Sequence, residues 1–164
     1  MKEVDLYTDG ACSGNPGNGG YGGILMYNGH KKEYSGYSSD TTNNRMELKA
    51  VIEGLKLLKE PVILNIYSDS TYTVNAFLER WIDNWQANNW RTANKKPVQN
   101  IDLWQELLTL LAPHQVTWNK VKGHADNEYN NRCDSLATGE IAKHMKDWQA
   151  RCLATYPLIR FSII

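Results

Sequence analysis

The stretch LYTDGACSGN (residues 6–15) predicts a strand that ends at an aspartate and is followed by a glycine-rich loop. Half of the residues from 10 to 23 are glycine. A carboxylate at a strand tip, beside backbone that a ligand can approach closely, is a common way to build a metal or phosphate site. The same pattern fits a surface aspartate beside a loose hairpin loop, so Asp9 alone leaves both interpretations open.

The composition is typical of one globular domain. The chain has 164 residues, of which 41% are hydrophobic and 22% charged. No apolar run approaches the ~20 residues of a membrane helix, and the N-terminus lacks the apolar region of a secretory signal. Three widely spaced cysteines fit neither a disulfide framework nor a zinc site. We therefore expect a cytoplasmic protein, and the zero net charge gives no support for a nucleic-acid partner.

Hydrophobic periodicity and turn residues predict an α/β fold with a five-stranded sheet. The strands are expected at residues 3–9, 21–27, 30–38, 62–68 and 115–121. The main helices are expected to begin near residue 42 and end near 59, and to span residues 71–78, 100–111 and 128–143. Asn28 and Gly29 favour a tight hairpin turn. A short helix and loop at residues 81–96 are polar and rich in tryptophan.

Strand directions bring several polar residues to one edge of this sheet. Helical crossovers almost always join parallel strands, so strands one, four and five are expected to be parallel. Asp9, Asp69 and the loop with His124 then lie at the carboxyl ends of parallel strands. This is the edge at which open α/β sheets bind ligands.

Two further carboxylates lie on helices that return to this edge. Glu47 shares a helix face with apolar residues, and a carboxylate there is costly unless a positive group compensates it. Either a bound cation compensates Glu47 or, as a purely structural alternative, this residue takes part in a helix cap or in an ion pair with Arg45 or Lys49. Asp134 by itself is more typical of a solvated helix residue, and only its position after the His124 loop makes it a candidate.

The expected cluster of four carboxylates indicates metal chemistry. Carboxylates that converge repel one another and require a cation to ionise together. Oxygen ligands suit Mg²⁺ or Mn²⁺, and two such ions stabilise the attacking and leaving oxygens of a phosphoryl displacement. His124 suits proton transfer or water positioning near neutral pH, although a surface histidine is an equally common interpretation.

Five motifs, in this order, resemble the type 1 ribonuclease H family. They are YTDG at residues 7–10, TNNRMEL at 42–48, YSDS at 67–70, WNKVKGH at 118–124 and NRCD at 131–134. The resemblance covers about residues 3–142 and includes the basic handle of bacterial members near residues 81–104. It implies a ribonuclease H-like fold and a monomeric endonuclease that hydrolyses the RNA strand of RNA/DNA hybrids. It also implies two Mg²⁺ or Mn²⁺ ions and products with 3′-hydroxyl and 5′-phosphate ends.

The resemblance also implies roles for individual residues. The metal-binding carboxylates would be Asp9, Glu47, Asp69 and Asp134, and His124 would assist proton transfer or product release. Contacts to RNA 2′-hydroxyls, to a DNA phosphate and to the DNA backbone are implied for a second set. These substrate-binding residues are Cys12, Asn15, Thr42, Asn43, Trp81, Arg91, Lys95 and Lys96.

Two departures from the family pattern weaken the expected substrate contacts. Thr71 stands where bacterial members often have a longer glutamine. The handle tip, QANN at residues 86–89, is uncharged and follows Asp83, so we expect weaker hybrid binding and a flatter salt dependence. We expect a catalytic domain at residues 1–145 and a C-terminal tail of unknown role at residues 146–164.

Three other functions fit parts of the pattern. A hybrid-binding module that does not cleave would require a missing carboxylate, and none is missing. A phosphotransferase of the actin and sugar-kinase type needs a second similar domain, for which 164 residues leave no room. An integrase or resolvase shares the acidic sheet edge but would not need the motif at residues 42–48.

Overall fold

The structure is a computed structural model that describes residues 1–122 and 127–155. Within these ranges the strands are β1 (Glu3–Gly14), β2 (Gly17–Tyr27), β3 (His30–Thr41), β4 (Ile63–Ser68) and β5 (Gln115–Lys120). The helices are α1 (Asn43–Lys56), α2 (Thr71–Leu78), α3 (Trp81–Ala87), α4 (Ile101–Leu111) and α5 (Glu128–Thr155). In the described part of the chain, none of the helices is long and apolar enough to cross a membrane.

The strands form one mixed sheet in the order β3-β2-β1-β4-β5. β2 is antiparallel to both β1 and β3, and β4 is parallel to both β1 and β5. The predicted five-stranded sheet and its strand directions are therefore confirmed. The tight turn between β2 and β3 is also confirmed, because Asn28 and Gly29 have φ values of 49° and 81°, as this type of hairpin requires.

Helices cover both faces of the sheet. Buried Leu64 and Ile66 of β4 face the layer of α1 and α4, where they join the largest cluster of apolar side chains. Tyr67, between Ile66 and Ser68, faces the other side of the sheet, as expected from the alternation of a strand. On that side α5 packs against β1 and β2. The sheet edge at the ends of β1 and β4 is thus bordered by α1 on one face and by α5 on the other.

The prediction of a glycine-rich loop after Asp9 is wrong. β1 continues to Gly14 and β2 begins at Gly17, so most of the glycines lie within the two strands. A Cβ at Gly20 would collide with the backbone oxygen of Ala137 in α5, and one at Gly22 would lie 2.8 Å from that of Cys133. The glycines therefore allow helices to pack directly on the sheet. A local sequence that is typical of loops does not reveal this packing.

The helix boundaries agree with the sequence prediction at some ends and differ at others. α2 spans the predicted residues, and Thr42 caps α1 by accepting a hydrogen bond of 3.2 Å from the backbone N–H of Arg45. α1 ends at Lys56, slightly before the predicted end. The sequence pattern predicts an end of α5 near residue 143, but the helix continues to Thr155. The expected domain boundary at residue 145 thus lies inside α5, and the last tail residues, 156–164, lie outside the described ranges.

Candidate active site

Three of the predicted carboxylates meet at the sheet edge. Oxygen atoms of Asp9, Glu47 and Asp69 all lie within 4.8 Å of one another. Asp9 lies in β1, Glu47 lies in the second turn of α1, and Asp69 directly follows β4. Asp9 and Glu47 are each only 5% exposed. The strand directions inferred from the sequence therefore bring these side chains together as expected.

Gly10 brings Glu47 close to Asp9. A Cβ at residue 10 would lie 2.5 Å from the backbone nitrogen of Glu47 and 2.9 Å from the Cβ of Met46. Only glycine lets the first turns of α1 approach β1 this closely. The Gly10 backbone N–H also donates a 2.9 Å hydrogen bond to Oδ1 of Asp9, which orients this carboxylate.

The structural alternative for Glu47 is not observed. Arg45 forms a two-pronged ion pair with Asp102 of α4, at 2.8 and 3.0 Å. Lys49 donates a 3.1 Å hydrogen bond to the hydroxyl of Ser38. Oε2 of Glu47 is buried and has no hydrogen-bond partner among the described residues. Because an unpaired buried carboxylate is costly, this atom is suited to a cation ligand.

Electrostatics at the cluster disfavour its ionised state in the absence of a cation. Burial, with the negative charge of Asp69 next in importance, raises the pKa of Asp9 from 3.8 to about 7. Burial, together with the charges of Asp9 and Asp69, raises the pKa of Glu47 well above its usual range. Both shifts have the sign expected for carboxylates that share a site without a counter-ion.

The fourth carboxylate and the histidine differ from these three. Asp134 is half-buried on α5 and does not belong to the 4.8 Å group, but its charge contributes to the raised pKa of Asp9. It therefore lies beside the cluster rather than within it. His124 lies outside the described residues.

Four predicted substrate-binding residues form a continuous surface next to the carboxylates. The thiol of Cys12 donates a 3.4 Å hydrogen bond to the backbone oxygen of Thr41, and burial raises its pKa. Oδ1 of Asn15 accepts a 3.2 Å hydrogen bond from the backbone N–H of Asn43. With Thr42 as the cap of α1, these bonds join the β1–β2 turn to the N-terminus of α1.

Sequence reasoning missed residues that complete this surface. Gln99 and Asn100, which precede α4, line one depression of about 360 Å³ together with Asn15, Thr42 and Asn44. Arg45 supports it, since its guanidinium donates a 3.2 Å hydrogen bond to Oδ1 of Asn100. The backbone of Asn100 has a φ of 62°. This feature of the site is not visible in the sequence.

The handle is a separate region between α2 and α4. Trp81, at the start of α3, packs against Trp85, whose ring also lies 5.5 Å from that of the buried Trp104. This aromatic contact fixes the handle to the core. Its predicted substrate-binding cations are all exposed, namely Arg91, Lys95 and Lys96.

Comparison with known proteins agrees with this geometry. The family model described as RNase H matches residues 1–142. The chain belongs to the ribonuclease H family. A protein named Ribonuclease H from Caldanaerobacter subterraneus subsp. tengcongensis is 63% identical over 144 residues, which are 88% of this chain and 94% of that protein. One of the same name from Chlorobium phaeobacteroides is 64% identical over 141 residues, 86% of this chain and 97% of that protein.

Solved ribonuclease H structures have the same fold. LC9-RNase H1, described as a type 1 RNase H with the type 2 active-site motif, matches with a TM-score of 0.76 and 29% identity. That match covers 85% of this chain and 72% of the other. LC11-RNase H1 in complex with an RNA/DNA hybrid matches with a TM-score of 0.64 and 22% identity, covering 87% and 99% of the two chains. This ribonuclease H is accordingly an endonuclease of a metal-dependent family, and its acidic cluster suits a metal ion.

Proposed function

We propose that the protein hydrolyses the RNA strand of RNA/DNA hybrids with two divalent ions, Mg²⁺ or Mn²⁺, and leaves 3′-hydroxyl and 5′-phosphate ends. The observation that carries the proposal is the 4.8 Å group formed by oxygens of Asp9, Glu47 and Asp69. These groups can ionise together only if a cation offsets their repulsion. Catalysis by such a site depends on metal and ceases when the metal is removed.

The donor set fits a hard divalent cation. It consists of carboxylate oxygens, and Oε2 of Glu47, which has no hydrogen-bond partner in the described part of the chain, is suited to serve as a ligand. We assign the ions to Asp9, Glu47, Asp69 and, beside the cluster, Asp134. When bound, two divalent ions supply positive charge that stabilises the attacking and leaving oxygens of an in-line displacement.

The polar surface beside the cluster would hold the hybrid in place for this reaction. Cys12, Asn15 and Asn43 combine uncharged polar groups with close backbone, which suits recognition of RNA 2′-hydroxyls in a wide minor groove. The depression that includes Thr42 suits a phosphate of the DNA strand. On the handle, Trp81 would pack on the DNA backbone, and the cations named above would contact its phosphates.

Proton transfer would complete the hydrolysis. A water molecule attacks the phosphorus and gives up a proton, the bond from phosphorus to the 3′-oxygen breaks, and the leaving 3′-oxygen takes up a proton. We assign assistance in this transfer, or in product release, to His124, because histidine exchanges protons near neutral pH. We also propose that the protein acts as a monomer in the cytoplasm.

The decisive experiment compares three labelled duplexes: RNA/DNA hybrid, double-stranded RNA and double-stranded DNA. Each is incubated with the protein in Mg²⁺, in Mn²⁺ and in EDTA. We expect cleavage of the hybrid's RNA strand alone, only with metal, and end-labelling should identify 5′-phosphate products. Calorimetric titration of metal in the presence of a non-hydrolysable hybrid should give a stoichiometry of two ions.

Matched variants test whether the loss of cleavage is specific to the carboxylates of the cluster. Asp69→Asn removes a carboxylate of the cluster, whereas Glu60→Gln removes an exposed carboxylate that follows α1. We expect the first to abolish cleavage and the second to leave it unchanged. Hybrid binding without cleavage by the unaltered protein would instead identify a binding module, and full activity of Asp69→Asn would contradict the assigned metal site.

A further inference from the structure

The last turns of α5 extend beyond the rest of the domain. We call residues 145–155 the α5 extension. The family match ends at residue 142, before this segment. Met145, Trp148 and Leu153 are 43%, 63% and 60% exposed. The extension is therefore not part of the described core.

The extension projects past the turn between β1 and β2. α5 runs along β2 toward this turn, because Leu136 lies against Gly22 and Ala137 lies against Gly20. At residue 145 it reaches the end of the strand, where Sδ of Met145 lies 3.8 Å from Nδ2 of Asn18. At 1.5 Å per residue, the ten residues that follow extend about 15 Å beyond this point.

The face of α5 that packs on the sheet continues into the extension. Ala137, Ile141 and His144 are successive members of this row, and the His144 ring stacks on Tyr37 of β3 at 3.8 Å. Trp148 and Arg151 come next at the same spacing of three and four residues, where α5 has passed the end of β2. Both side chains are exposed on the part of α5 that borders the space beyond the β1–β2 turn.

Charge favours a polyanion as the occupant of that space. Lys146 and Arg151 outnumber Asp147 within the extension, and all three are exposed. An exposed tryptophan beside cations is a common composition of surfaces that contact nucleic acids. The adjacent turn carries Asn15, whose side chain belongs to the proposed substrate surface.

We propose that the α5 extension is a second contact surface for the RNA/DNA hybrid, in which Arg151 contacts a backbone phosphate and Trp148 packs on a neighbouring sugar. The proposal rests on the proposed function. Arg151 and Trp148 are positioning residues here, since they bind the substrate away from the scissile bond.

The test measures hybrid binding separately from cleavage. Fluorescence anisotropy with a labelled hybrid in EDTA gives the Kd, because the metal-dependent reaction stops there. We expect Arg151→Glu to weaken binding about three- to tenfold and to lower the slope of log K against log salt by about one. Lys59→Glu makes the same charge change at an exposed site near the opposite end of the domain and should leave Kd and activity unchanged.

Trp148→Ala gives an independent measurement, with Gln149→Ala as its control on the same helical turn. We expect about a threefold or larger loss of affinity for Trp148→Ala alone. Far-UV circular dichroism of each variant confirms that α5 remains folded. Sedimentation is measured at the same concentrations to detect a second copy of this chain on the extension.

Each outcome decides the proposal. If Kd changes less than twofold in both Arg151→Glu and Trp148→Ala, the proposal is wrong even when the protein cleaves hybrids normally. If the loss of affinity follows the loss of a dimer, a second copy occupies the extension and the proposal is also wrong. If the unaltered protein binds hybrids without cleaving them and Arg151→Glu weakens that binding, the extension proposal stands and the proposed function fails.

Discussion

Replacing Asp9 with asparagine should stabilise the metal-free protein while abolishing its nuclease activity. Asp9 is buried beside Glu47 and Asp69, so its negative charge opposes folding when no cation is bound. Asparagine has nearly the same shape, and its side-chain oxygen can accept the hydrogen bond that Gly10 now donates to Oδ1. The substitution therefore removes the charge and retains the local bonding.

The magnitude follows from the pKa of Asp9. Burial and the charge of Asp69 raise that pKa from 3.8 to about 7. At about 1.4 kcal/mol per pKa unit, ionisation of Asp9 lowers the free energy of unfolding by about 4 kcal/mol. Below pH 3.8 the carboxyl is protonated in both states and costs nothing, so stability falls as pH rises from about 4 to 7. At pH 8 in EDTA we expect Asp9→Asn to gain about 2–4 kcal/mol, or roughly 5–12 °C in Tm.

Thermal and urea unfolding in EDTA at several pH values between 4 and 8 test this reasoning. Asp147→Asn is the control, because it neutralises an exposed carboxylate and should not change the pH dependence. Added Mg²⁺ should stabilise the unaltered protein more than Asp9→Asn. A metal-free protein whose stability is flat from pH 4 to 7, or an Asp9→Asn variant less stable than its parent at pH 8, would refute the argument from charge repulsion.

Three further substitutions test other parts of the structure. Gly20→Ala should destabilise the fold by about 1–3 kcal/mol in urea unfolding, because its Cβ collides with the backbone of Ala137; unchanged stability would contradict the close packing of α5. Arg45→Ala should cost about 1 kcal/mol or less and raise KM, because the ion pair with Asp102 supports the depression beside the site; an unchanged KM would separate that depression from substrate binding. His124→Ala should lower kcat about 100-fold without abolishing it in steady-state assays with the hybrid, whereas complete loss would indicate a larger role.

Much of the candidate site could be predicted because it depends on strand direction and helical spacing. Asp69 directly follows β4, and Asp9 lies in β1 two residues after Tyr7, which is the last β1 residue paired with β4. A right-handed crossover almost always makes two such strands parallel. Glu47 faces the sheet because an apolar stripe at helical spacing must be buried. Prediction failed for the length of α5, because the helix continues to Thr155 and not only to about residue 143.

The strands and helices, their order and the types of residue at the sheet edge can be inferred from the sequence, because they follow from interactions among near neighbours in the chain. The packing around the glycines near Asp9, and the partners of Arg45 and Lys49, depend on the tertiary structure. Gly10 and Gly20 lie against helices far away in sequence, and Arg45 pairs with Asp102 instead of with Glu47. Such choices depend on which distant surface packs against a residue, and a local pattern of residue types carries no information about that surface.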